Sequence, residues 1–390
     1  MRRIGLAIAS MAAALALTAC GGGGAGAPSS APAPGGETTG ATQAPADVLV
    51  GVAMPTQTSE RWIADGEAVK AGLEKAGYKV DLQYANDDIP TQTQQVDAMI
   101  TAGAKVLIIA AIDGTALTSQ LQAAADKGIK VIAYDRLIRD SGNVDFYVTF
   151  DNYAVGVAQA TALLAGMEIT DRDGKATGSA DKGQEIELFA GSLDDNNAHL
   201  FWKGAIDTLD PFIKDGTLVV KSGQTTIEQA ATLRWLQETA QKRMEDLLTS
   251  TYGGTGKGLK GVLAPYDGLS RGIITALQGV GMGPTIDKAL PIVTGQDAEI
   301  ASVKLIADGV QSSTIFKDTR NLAEQAVVAT QAFLSGATPE ANDTETYDNG
   351  VKVVPSFLLP VVTIYSDNIQ KELVDTGYWT ADEVKSGVAS

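Results

Sequence analysis

Groups able to grip a polyol stand just beyond the ends of apolar runs. Tyr134 is followed by Asp135 and Arg136, and Phe150 by Asp151 and Asn152. Ala190-Gly191-Ser192 leads into Asp194, Asp195, Asn196 and Asn197, and Ala264-Pro265-Tyr266 into Asp267. Thr294-Gly295 precedes Gln296 and Asp297, Phe316 precedes Lys317, and Arg61-Trp62 lies shortly after the first apolar run. In open α/β sheets, ligands bind beyond the carboxyl ends of strands. Carboxylates, amides and guanidinium groups each bind two neighbouring hydroxyls at once, while an aromatic ring such as Trp62 covers an apolar C–H face. The competing role for each Asp or Asn is a helix cap, which contributes about 1 kcal/mol.

Several catalytic and nucleotide-binding signatures fail on inspection. His199 is the single histidine and Cys20 the single cysteine, so neither a histidine-based triad nor the usual zinc site can be assembled. Gly256-Lys257 lacks the earlier glycine and the following hydroxyl of a phosphate loop. Asp171-Arg172-Asp173-Gly174 resembles a calcium loop only faintly, with Lys175 and Lys182 at ligand positions. No cofactor and no metal are expected. Carboxylate-pair chemistry stays open, although no spacing singles out a pair.

The elements that must position these groups read as alternating strands and helices. Apolar runs at 48–54, 80–84, 106–112 and 131–134 alternate with helical patterns at 59–76, 90–102 and 117–127. A second series has runs at 186–190, 218–221, 261–264, 292–294 and 313–316. Near-continuous runs such as Val106-Leu107-Ile108-Ile109 suit parallel strands covered on both faces. The class is α/β, doubly wound, with two sheets because one of this width would be unusual. The formal charge of −17 disfavours nucleic acid as a partner.

The chain opens on Met1-Arg2-Arg3, an apolar run over 4–17, and Leu17-Thr18-Ala19-Cys20. This pattern predicts a secretory leader over 1–19, too short to span a membrane. The residues before Cys20 resemble a lipobox, which implies a lipid-modified Cys20 and an extracytoplasmic protein held at the cell membrane. Residues 20–47, rich in Gly, Ala, Pro, Ser and Thr, read as a flexible tether.

Taken in order, Ser59-Glu60-Arg61-Trp62, Ala133-Tyr134-Asp135-Arg136, Thr149-Phe150-Asp151-Asn152, Asp195-Asn196-Asn197-Ala198, Tyr266-Asp267-Gly268, Gly295-Gln296-Asp297-Ala298 and Thr314-Ile315-Phe316-Lys317 resemble the periplasmic sugar-binding proteins of ABC importers. The resemblance is to the branch of xylose-binding proteins and ChvE-type multiple-monosaccharide receptors. It implies two parallel-sheet lobes joined by a three-stranded hinge, with crossings near Asp151, near Lys317 and around 354–359. Lobe one would then comprise 48–151 plus 318–356, and lobe two 152–317 plus 357–390. It further implies sugar contacts at Arg61, Trp62, Asp135, Arg136, Asn152, Asp195, Asn197, Asp267, Asp297 and Lys317. The implied function is capture of an aldopentose or aldohexose, without chemistry, for a membrane permease. A membrane sensor as partner, a nucleoside-type ligand and a secreted glycosidase are the alternatives, and a monomer is expected. One departure concerns the second aromatic, which relatives often carry after the strand near 218–221. Here that stretch reads Ser222-Gly223-Gln224-Thr225-Thr226, leaving Phe201, Trp202 or Tyr266 as substitutes.

Overall fold

Val106 to Ile109 are all fully buried, because this strand has a helical layer on each side. A computed structural model of the chain describes residues 45–178 and 181–389, so the leader, Cys20 and most of the tether lie outside the described residues. The strands are β1 (Leu49–Met54), β2 (Lys79–Tyr84), β3 (Val106–Ile109), β4 (Lys130–Tyr134) and β5 (Phe146–Phe150), then β6 (Gln184–Leu188), β7 (Leu218–Val220), β8 (Leu259–Leu263) and β9 (Ile292–Val293). β10 (Thr314–Phe316), β11 (Ser356–Leu359) and β12 (Val362–Ile364) follow.

Lobe one is a parallel sheet in the order β11-β5-β4-β3-β1-β2. Alternation along β1 sends Val50 and Val52 to one face, against Val69 and Leu73 of helix Glu60–Lys75 and Leu322 and Ala326 of helix Thr319–Leu334. Ala53 faces the other way, with Leu107 and Ile109, towards Val96 and Met99 of helix Ile89–Thr101 and Leu121 of helix Thr118–Asp126. Each buried branched side chain contributes ~1.5–3 kcal/mol. Lobe two holds a second parallel sheet, β7-β6-β8-β9.

The chain passes from β5 straight into helix Asn152–Gly166, whose Ala160, Leu163 and Leu164 pack on Ile186 and Leu188 of β6. Two corrections to the sequence reading follow. The run at 313–316 is not a full strand of the second sheet: beyond β9 it is tied by one parallel bridge, Ile315 to Gln296, and β10 otherwise pairs antiparallel with β12. The expected boundary at 356/357 would cut β11, yet this strand pairs in parallel with β5 from Ser356 to Leu359. The change of sheet comes at Pro360-Val361, where the proline has no N–H to extend the ladder.

Helices Asn152–Gly166 and Asn196–Lys214 touch backbone to backbone. A Cβ on Gly156 would lie 2.0 Å from the Phe201 carbonyl oxygen, and one on Gly204 would lie 2.2 Å from that of Tyr153. Only glycine permits this approach, which sets Asn152 beside Asn197 at the mouths of both helices.

Candidate functional site

Asp135 directly follows β4 with φ +59°, a left-handed conformation that costs an L residue about 1–2 kcal/mol. Its carbonyl oxygen is held there by three donors: Tyr147 OH at 2.6 Å, Thr149 Oγ1 at 3.0 Å and Asn197 Nδ2 at 2.7 Å. The twist turns the carboxylate to Arg61 Nη2 at 3.0 Å, with Lys317 Nζ 4.0 Å away. Asp297, also left-handed at φ +91°, completes the array, 3.0 Å from Lys317 Nζ and 3.7 Å from Arg61 Nη1. Lys317 is itself only 2% exposed and faces the rings of Phe150 and Phe201.

Arg61 is anchored from behind by Asp65, one helical turn on, which accepts from Nε at 3.0 Å and Nη2 at 2.8 Å. Burial pushes the Asp65 carboxyl up to about 6, against the pull of Arg61, and Tyr134 OH donates to it. Burial would raise Asp135 as well, but the charges of Arg61, Lys317 and Arg136 outweigh it and hold this carboxyl below its ordinary value. The centre of the cleft therefore keeps an ionised carboxylate among fixed cations. Such an array, out of water, is costly unless each charge has its partners.

This array forms one end of a cavity lined by residues of both lobes. Trp62 covers its lobe-one side, with the Arg61 guanidinium 4.4 Å and that of Arg136 5.0 Å from the ring centroid. From lobe two come Phe201, Trp235 and Tyr266, arranged edge to face, with Trp235 6.2 Å from Phe201 and 6.1 Å from Tyr266. Contacts across the cleft join the lobes at its rim. Arg136 Nε lies 3.3 Å from Asp195 Oδ2, Ser59 Oγ donates to Glu299 Oε1 at 2.7 Å, and Ile300 N donates to Glu60 Oε2 at 3.1 Å.

Residues 50–338 match the family model described as a periplasmic binding protein domain. The chain is also 56% identical to the multiple sugar-binding periplasmic receptor ChvE of Rhizobium radiobacter, over 86% of this chain and 92% of that protein. This chain belongs to the periplasmic binding protein family. It is 33% identical to the D-xylose-binding periplasmic protein of Escherichia coli, over 87% of this chain and 93% of that one. Among solved structures, an ABC transporter solute-binding protein of Clostridium phytofermentans with bound β-D-glucose matches with a TM-score of 0.80 at 44% identity, covering 86% of this chain and all of that one. Periplasmic binding proteins are extracytoplasmic, and the two-lobed type I fold is the one described above.

In this periplasmic binding protein, Arg61, Trp62, Asp135, Arg136, Asp195, Asn197, Asp297 and Lys317 all reach the cavity. Two expected contacts do not. Asn152 lies one layer back, its Nδ2 donating to Asn197 Oδ1 at 3.1 Å and Thr149 Oγ1 at 3.2 Å. Asp267 also stands behind the wall: Oδ1 accepts from Gln311 Nε2 at 2.8 Å and Oδ2 from Glu299 N at 2.9 Å. Burial, reinforced by Glu299, pushes its carboxyl well above the ordinary range.

Asp195 serves in both roles weighed for it. Its Oδ1 caps helix Asn196–Lys214 by accepting from Asn197 N at 2.9 Å, while Oδ2 faces Arg136. Phe201, named above as a substitute for the second aromatic, is buried and lines the cavity at once. Trp202 packs partly buried in the lobe-two core. Trp235 was not anticipated. Its only sequence signal is an aromatic in a short stretch, Leu233-Arg234-Trp235-Leu236, which by itself points nowhere.

Proposed function

We propose that the protein captures one monosaccharide, an aldopentose or aldohexose, between its lobes and delivers it unchanged to the permease of an ABC importer. The observation that carries this reading is the buried set of Arg61, Asp135, Asp297 and Lys317 beside Trp62. Fixed donors and acceptors of both kinds suit vicinal hydroxyls, and the ring suits the C–H face of a pyranose. Trp235, on the cavity wall, has its Nε1 buried with no hydrogen-bond partner in the protein, so a polyol that supplies acceptors is favoured over an apolar ligand. The likeness to a multiple sugar-binding receptor and to a glucose-bound solute-binding protein supports the same ligand class.

The ion pairs that tie up Asp135 and Asp297 with Arg61 and Lys317 support capture without chemistry. Sugar contacts from both lobes would favour the closed arrangement, and only such differential contact shifts a two-state clamp. In this reading lobe one is 48–151 plus 318–359, lobe two is the remainder to 390, and the closed monomer docks on its membrane partner. Lipidation at Cys20 would keep it there, with the tether of 20–47 allowing reach. A membrane sensor as the receiving partner would use the same cleft.

A thermal-shift screen of residues 46–390 tests this against pentoses, hexoses, disaccharides and nucleosides. A ligand at 100 times its Kd adds ~2.7 kcal/mol to the stability of the native state. A rise in Tm with monosaccharides is expected. A rise with nucleosides alone would overturn the ligand assignment.

A further inference from the structure

The segment that carries Trp235 is strained and is held by another part of lobe two. Arg234 and Trp235 have φ of 55° and 57°. Two consecutive non-glycine residues in this region cost roughly 1–2 kcal/mol each, and such strain collects where a ligand is gripped. The opposing contacts come from the loop after β6. Arg234 N donates to Ser192 Oγ at 2.8 Å, Thr232 N donates to the Gly191 carbonyl at 3.2 Å, and Arg234 Nη1 lies 3.1 Å from Asp194 Oδ2.

Gly191 sets the position of the ring directly. A Cβ there would fall 2.0 Å from Cη2 of Trp235 and 2.2 Å from Cζ2, so the indole lies flush against the glycine backbone. Gly191 itself is not among the residues that line the cavity, whereas Trp235 is.

We propose that Gly191 and Ser192 are positioning residues: through the strained Arg234-Trp235 turn they place the lobe-two indole, and they thereby set how tightly the sugar is held. This rests on the sugar-capture reading. Any side chain at 191 must displace the ring, and loss of the Ser192 hydroxyl releases the turn that presents it.

The test is a double-mutant cycle by titration calorimetry, with D-glucose and D-xylose as probes, on wild type, G191A, W235A and G191A/W235A. Expected losses are about tenfold for W235A and about tenfold for G191A, with the double variant no weaker than W235A, because the added Cβ then has no ring to meet. S192A, which changes no backbone volume, should lose about threefold in wild type and nothing further in W235A. It carries the test if G191A does not fold. A purely structural role would lower affinity by the same factor in both backgrounds and would overturn the proposal, as would G191A and S192A binding like wild type. Failure of wild type to bind either sugar would instead overturn the capture reading on which the proposal stands, and is seen before any variant is measured.

Discussion

Two parts of the cleft, its ionic centre and the aromatic cluster around Trp235, are built on different principles. Lobe one and the hinge present charge: Arg61, Asp135 and Lys317 sit on a helix's first turn, a strand tip and the end of a hinge strand, each fixed by two or more ionic or hydrogen-bonded partners. The lobe-two wall around Trp235 is aromatic: Trp235, on an irregular turn, meets Phe201 and Tyr266 edge to face. Charged groups so over-determined demand hydroxyls in fixed directions, whereas stacked rings ask only for an apolar face of suitable size. The difference assigns orientation to the ionic centre and grip to the aromatic wall.

The sharpest way to break this division is to remove the hinge cation. K317M leaves Asp135 and Asp297 facing each other with Arg61 alone, and removing one partner of a buried pair is strongly destabilising. Sugar affinity should fall about 100-fold, equivalent to ~2.7 kcal/mol, by calorimetry. Removing the lobe-one ring should cost less: W62A forfeits apolar burial of about 1.5 kcal/mol, and a roughly tenfold loss is expected in the same assay. Asp267 sharpens the contrast from the other side. Its carboxyl is already pushed towards the neutral form and it does not reach the cavity, so D267N should keep sugar affinity within about threefold.

The smallest effect is one of pH. Asp65 titrates near 6 in the folded protein but near ~3.9 when unfolded. Between these values the folded state holds a proton that the unfolded chain has released. The Asp65 contribution to stability is therefore greatest below about pH 4 and declines as pH rises towards 6, by at most ~1.4 kcal/mol per pH unit. The difference in urea midpoint between wild type and D65N, followed from pH 4 to 6.5, should change in that direction. A flat difference would show that Arg61 keeps Asp65 ionised throughout.

Much of the ionic centre was legible because it obeys a topological rule. Asp135, Arg136, Asp297 and Lys317 follow strand runs in a parallel α/β pattern, so the chain itself places them at the cleft. The same rule misplaced Asp267, whose carboxyl turns inward: a Cβ on Gly295 would meet its Oδ1 at 2.1 Å. Asn152 was carried one layer too far for a related reason, since the Gly156–Gly204 contact commits it to Asn197. Asp65 lies four residues after Arg61, a spacing that puts the two on one helix face, but burial decides its importance and no local pattern reports that. Trp235 was out of reach because its place depends on Gly191, distant in sequence and brought near only by the sheet. At the hinge, β10 is as apolar as a sheet-core strand, and only its antiparallel partner β12 reveals the different role.

The central claim, that one sugar is oriented by the buried ionic array, is tested most directly by titrating D-xylose and D-glucose into wild type and D135N in parallel calorimeter runs. The account predicts one sugar per chain for wild type and no measurable heat of binding for a D135N protein that still melts cooperatively. Wild-type affinity in a folded D135N would contradict it.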